Sequence, residues 1–173
     1  MHEAYQLAFD EINALGFSDM SRDQIEDEFE TLLILAYTLG VEEAGLMLHK
    51  KIEAELDEME DIIWAEIAGK TFADRIDDHL EKEDDGLAML ARSEFSRVYN
   101  TALFKSGKRS GASMKTWVTV GDERVRETHD YLEGVTVGID DYFWTFDGDH
   151  ALRPYGFQRV ENNANCRCSL LIR

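Results

Sequence analysis

The sequence predicts an α+β fold, with an acidic helical N-terminal half followed by a small α+β domain that carries a short antiparallel sheet. Three observations lead to that expectation. Through Ala102 the apolar residues recur at three- and four-residue steps, and beyond Lys115 they fall instead into short β-branched and aromatic runs. Charge changes in the same region: residues 1–90 hold 25 acidic and 6 basic side chains, net −19, whereas residues 91–173 hold 11 and 12, net +1. The single proline is Pro154, so nothing ahead of it removes a helical backbone donor. A break near Gly86 therefore divides the chain into a helical region, 1–86, and an α+β domain, 87–173.

Composition narrows the class further. The chain has 173 residues, is 44% hydrophobic and contains three Trp, six Tyr and nine Phe, enough apolar surface to offset the entropy of ordering and to exclude a disordered protein. No apolar run approaches the roughly 20 residues of a bilayer-spanning helix. Met1-His2-Glu3-Ala4 lacks the basic-then-apolar layout of a secretory signal, so a soluble protein with no membrane partner is expected. Two cysteines separated only by Arg167 are not a disulfide framework and stay available as thiols or metal ligands.

In the helical half, Ser21 and Gln24 have capping-box spacing ahead of the stripe Ile25, Phe29, Leu32, Leu33, Ala36 and Leu39, and Gly40 is expected to end that helix. Ile52, Leu56, Met59, Ile63 and Ile67 form a second stripe that Gly69 can terminate. A third helix is expected over 72–82, and a fourth from Leu87 through Leu90, Ala91, Phe95 and Val98 to Ala102. Acidic faces such as Glu53, Glu55, Asp57, Glu58 and Glu60 read as solvated surface. The acidic stretch 77–86 fails as a calcium loop, because the alternate oxygen ligands, the sixth-position glycine and the closing glutamate are out of register, and it reads as a charged linker. With no glycine-rich phosphate loop, no His-Glu-x-x-His helix and no nucleophile elbow, this half offers no chemistry.

The sign then reverses. Arg92, Arg97, Lys105, Lys108, Arg109 and Lys115 against Glu94 alone give residues 92–115 a net of +5. Residues 105–111 read as a glycine- and serine-containing loop, and Lys105, Lys108, Arg109 and Lys115 are the candidate nucleic-acid contacts; a solubilising surface loop has the same composition. No aromatic residue is interleaved to stack on bases, so such contact would be to backbone charge and blind to sequence.

Residues 116–120 read as a strand that Gly121-Asp122 breaks, and Asp122 can cap a helix over 123–133. On that helix Asp122, Val125, His129 and Leu132 share one face, so His129 points inward, and Gly134 suits a left-handed exit. Residues 135–137, 142–146 and 169–172 are further strands, with Asp147-Gly148 as a tight turn. Cys166 and Cys168 on an extended segment would face the same way, and with His129 they offer three ligands for Zn²⁺, Asp122 or His150 being candidates for a fourth. The alternative is a core histidine beside two small buried hydrophobes.

Taken together, these residues resemble the phage Mu F-like minor head proteins, also called head-morphogenesis proteins. The resemblance is carried by Arg92-Ser93-Glu94 with Asn100, Lys115 and Trp117, the run from Asp122 through Arg126 to His129, Leu132 and Gly134, Phe143, Pro154, and Asn165-Cys166-Arg167-Cys168. It covers about residues 87–173; Ser93 stands where the family often has threonine, and the helical region ahead is shorter than usual. The resemblance implies a structural virion component that associates with the portal or major capsid protein at the portal vertex or capsid interior, is made in the host cytoplasm, and in some members contacts packaged DNA. Some relatives carry the module in front of a toxin domain; the chain stops five residues after Cys168, so no effector is expected here. Two other classes stay open: a metal-dependent hydrolase or toxin-related module using His129, Cys166 and Cys168 with Asp122, Glu123 or Glu127 as base, and a nucleic-acid-binding protein using 105–115. An open cleft at the metal would mark the hydrolase.

Overall fold

The computed structural model describes residues 3–80 and 86–173; half of the stretch 77–86 read as a charged linker, 81–85, lies outside the described residues, while 77–80 belong to a helix and Gly86 begins the next. Helix α1 (Glu3–Ala14) and a 3-10 turn (Phe17–Asp19) lead into α2 (Arg22–Leu48), followed by α3 (Leu56–Ile63), α4 (Phe72–Leu80) and α5 (Gly86–Arg109). Strand β1 (Met114–Val118), α6 (Glu127–Asp130), β2 (Thr136–Gly138), β3 (Phe143–Trp144), β4 (His150–Ala151), α7 (Val160–Asn163) and β5 (Ser169–Ile172) complete the α+β fold.

Helix α2 starts at the capping box: Gln24 N–H donates to Ser21 Oγ and Ser21 N–H to Gln24 Oε1. It does not end at Gly40. Gly40 is where α5 comes closest, since a Cβ there would lie 2.5 Å from the Tyr99 carbonyl oxygen and 2.9 Å from Ala102 Cβ. The helix continues to Leu48 and ends at His49 in the left-handed conformation, φ 52°. Its most apolar window has a mean hydropathy of 1.5, so α2 is long and apolar enough by length and composition to cross a bilayer, contrary to the expectation that no run approaches that length. Half of that window is buried inside the fold, as in the core helix of a globular domain.

The second stripe gives only α3. Before it, Tyr37 OH donates to the Glu55 carbonyl and accepts from Glu55 N–H, fixing the chain in an extended form. After it, Arg97 Nη1 and Nη2 take the Ile62 and Ile63 carbonyls at 2.7 and 3.2 Å, acceptors that a longer helix would need. Arg97 in turn shares buried Glu94 with Arg75, at 2.8 and 3.2 Å. Residues 105–109, expected as loop, are the last turns of α5, because Ser106 and Gly107 are buried and Gly107 abuts Ile172; the helix ends at Arg109 and the chain turns at Gly111, φ 92°.

Antiparallel pairing gives the order β2-β1-β5, with Lys115 opposite Ile172 and Trp117 opposite Leu170. The helix expected over 123–133 shrinks to α6. Asp122 Oδ1 accepts from Arg124 N–H in a local turn that competes with helix, and the N-cap position of α6 falls to Arg126, whose side chain makes no capping bond, rather than to Asp122. Strand 142–146 shrinks to β3 paired with β4, since Thr145 and Asp149 close a turn through Gly148, φ 83°. One apolar core runs from Tyr5 on α1 through α2 and α5 to Ile172 on β5, and it includes Cys166 and Cys168.

Candidate functional site

His129 on α6 and the Cys166–Cys168 segment ahead of β5 meet beneath the sheet. His129 Nδ1 lies 3.6 Å from Cys166 Sγ and 3.4 Å from Cys168 Sγ, and all three residues are buried. The imidazole is clamped by Phe157 stacked on it at 5.3 Å and by Trp117 edge-on at 5.6 Å. Trp117 itself packs on Phe143 and is fully buried.

The loop carrying the cysteines is tied down from several directions. Asn100 Nδ2 donates to the Ser96 and Cys168 carbonyls at 2.9 and 3.1 Å, joining α5 to the start of β5. Arg167, between the cysteines, makes a two-pronged ion pair with Asp122 at 2.6 and 2.7 Å, and this pairing holds the Asp122 carboxyl down to about 2. Arg126 donates to the Ala164 carbonyl. Asn165 adopts φ 53° and Gly134 φ 72°, both left-handed. Of the residues on which the family resemblance rests, Asn100, Trp117, Asp122, Arg126, Asn165 and Arg167 thus gather at one cluster, with Glu94 braced farther along α5.

Sequence reasoning overlooked two partners. Tyr155 OH donates to the Cys166 carbonyl at 2.8 Å. Asp149 accepts from the backbone of His150, Gln158 and Arg159 and from Asn162 Nδ2; burial opposes its charge, but these donors win and hold its carboxyl below the usual range. The Asp-Gly-Asp sequence signals a turn, while the segment Asp149 organises lies nine to thirteen residues on and leaves no local pattern.

The donor set fits Zn²⁺. Tetrahedral zinc with Zn–S of about 2.3 Å and Zn–N of about 2.0 Å puts neighbouring ligand atoms about 3.6 Å apart. The Nδ1 to sulfur distances of 3.4 and 3.6 Å match that spacing, and all three ligand atoms lie within 4.8 Å of one another. Burial opposes charge on Cys166, yet hydrogen bonds from Cys168 and His129 outweigh it and bring that thiol down, while the same pairing and burial push Cys168 up. Among the described residues no fourth protein ligand joins the cluster: Asp122 is committed to Arg167, and His150 stacks on Trp144 instead. The adjoining cavity, lined by Val125, Arg126, Asn165 and the cluster itself, measures about 10 Å³. That is the lower limit for one water, which could supply a fourth ligand. Glu123 and Glu127, considered as bases, are exposed.

The basic residues do not form one patch. Lys115 is fully buried, its Nζ donating to the Ile139 carbonyl at 2.7 Å over the rings of Phe104 and Phe143, and burial pushes its ammonium down to about 8. This removes Lys115 from the set that can reach a phosphate. Arg109 pairs with Glu55 and Glu58 at 3.0 and 2.9 Å, and Lys108 pairs with Asp140. Lys105 is exposed.

These features define a small α+β module whose last strand is fastened to its long helix over a buried histidine–cysteine–cysteine cluster. The family model described as Phage Mu protein F like protein matches residues 50–171, and the chain belongs to that family of phage head proteins. The match takes in α3, α4 and α5 together with the whole sheet region. Among curated proteins, the chain is 28% identical over 140 residues to the NAD(+)--arginine ADP-ribosyltransferase EFV of Enterococcus faecalis, covering 74% of this chain and 28% of that protein. The chain thus spans little more than a quarter of the length of that relative. No solved structure matches significantly.

Proposed function

We propose that this protein is a minor capsid component of phage head morphogenesis, located in the virion at the portal vertex or on the capsid interior, and that it acts as a structural part rather than an enzyme. One observation carries the reading: the family-motif residues Glu94, Asn100, Trp117, Asp122, Arg126, His129, Gly134, Asn165, Cys166 and Cys168 are used in internal bonds, packing and turns, and the cavity beside them has room for about one water. In this reading His129, Cys166 and Cys168 hold a Zn²⁺ whose chemistry is structural, tying α6 to the entry of β5. Contact with packaged DNA falls to Lys105, with Lys108 and Arg109 contributing only on release from Asp140, Glu55 and Glu58. Co-expression with the portal and major capsid proteins of the same phage, followed by pull-down, tests the proposal. Association with one of them supports it, and association with neither removes it.

The Enterococcus relative favours a second reading, in which the same module belongs to a longer ADP-ribosyltransferase. Incubating the purified chain with labelled NAD⁺ and arginine-rich acceptors separates the two readings. No label transfer is expected, and transfer by this chain would replace the structural assignment.

A further inference from the structure

We propose that the outer face of the β3–β4 hairpin is a protein-docking surface whose occupant is a protein patch with an apolar recess ringed by lysine and arginine. The proposal rests on the head-protein reading only for the identity of the protein that carries that patch.

Along 142–146 the side chains alternate: Phe143 and Thr145 are buried, while Tyr142, Trp144 and Phe146 face outward at 46, 56 and 58% exposure. Tyr131, 60% exposed, stands edge-on to Phe146 with ring centroids 5.8 Å apart. His150, opposite Trp144 across the hairpin, stacks on the indole at 4.5 Å and meets the Tyr142 ring edge-on at 4.7 Å. Four half-exposed aromatic rings present on the order of 400 Å² of apolar surface, the size at which a patch on a monomer marks an interaction site. Because the rings already brace one another, docking would immobilise few side chains.

The rim supplies the charge argument. Residues 127–150 contain seven acidic residues and no lysine or arginine. Asp140 and Asp147 are engaged by Lys108 and Arg159 from outside the segment, whereas Asp130 and Asp141 are exposed and form no ion pair among the described residues. An aromatic platform that stacks nucleic-acid bases needs a cationic track for the phosphates, which this rim would repel. A second copy of the same face would bring two acidic rims together. A basic-rimmed protein surface satisfies both the rings and the carboxylates, and aromatic anchors encircled by complementary charge are the usual core of such contacts.

The test uses the full chain and the double variant Trp144→Ser, Phe146→Ser, with Asp141→Lys as an independent variant, titrated against portal and major capsid proteins of the same phage. Unchanged far-ultraviolet circular dichroism is the control for folding, since all three side chains point to solvent. The double variant is expected to bind about 30-fold more weakly or worse. Asp141→Lys should weaken binding at low salt and far less at high salt. If the parent binds and the double variant binds equally well, the docking face is overturned and the head-protein reading stands. If the parent binds neither partner, both fall together. Binding of a single-stranded oligonucleotide, or self-association in sedimentation, that the double variant loses would overturn the assigned occupant.

Discussion

At the residue scale, the cluster and its latch make separable predictions. Purified protein is expected to hold about one zinc per chain by elemental analysis, and Cys168→Ser to lose it together with about 2–4 kcal/mol of stability. Metal-free protein whose melting temperature is unmoved by a chelator would return the cluster to a hydrogen-bonded core. The Arg167–Asp122 pair is expected to act on folding and not on DNA affinity, so Arg167→Ala should lower the melting temperature without changing duplex binding. Its pH dependence has a fixed sign. Pairing with Arg167 depresses the Asp122 carboxyl from 3.8 to about 2, so its contribution is complete above about pH 4 and is lost as pH falls toward 2. The difference in denaturant midpoint between the parent and Asp122→Asn should therefore close over that window and stay constant from pH 5 to 7.

At the element scale, the α2–α5 contact decides how far two helices run. A sequence reading takes Gly40 as a stop because glycine so often follows a last helical turn. Here its missing side chain lets the Tyr99 carbonyl approach, and the helix passes through. Gly40→Ala should gain about 1 kcal/mol of helix propensity and lose more to overpacking, for a net drop of about 1–2 kcal/mol, or roughly 2–8 °C in thermal unfolding. A rise in melting temperature would show that the two helices can part at no cost. The basic stretch at the end of α5 follows the same logic. Lys105, Lys108 and Arg109 look like loop cations beside Gly107 and Gly111, yet Gly107 is an interior position against Ile172 and only Gly111 turns the chain.

At the scale of the whole molecule, a net charge of −18 opposes any duplex contact, and the sequence alone would assign four phosphate neutralisations to Lys105, Lys108, Arg109 and Lys115. With Lys115 buried and two of the others in ion pairs, the slope of log affinity against log salt should be no steeper than about −2, and Lys105→Ala should flatten it by about 1. A slope near −4 that Lys105→Ala leaves intact would place the DNA contact elsewhere on the surface. The sequence by itself determined the α+β class, the capping box at Ser21, the inward direction of His129 and the family, because periodicity, capping chemistry and the spacing of Asn165-Cys166-Arg167-Cys168 are written locally. Only the tertiary structure decided where α2 and α3 end, that Arg167 reaches Asp122, that Asn100 and Tyr155 hold the cysteine segment, and that Lys115 is buried. Those outcomes depend on partners between 11 and 68 residues apart in the chain, and a buried charge or a close-approach glycine takes its meaning from the neighbour that meets it.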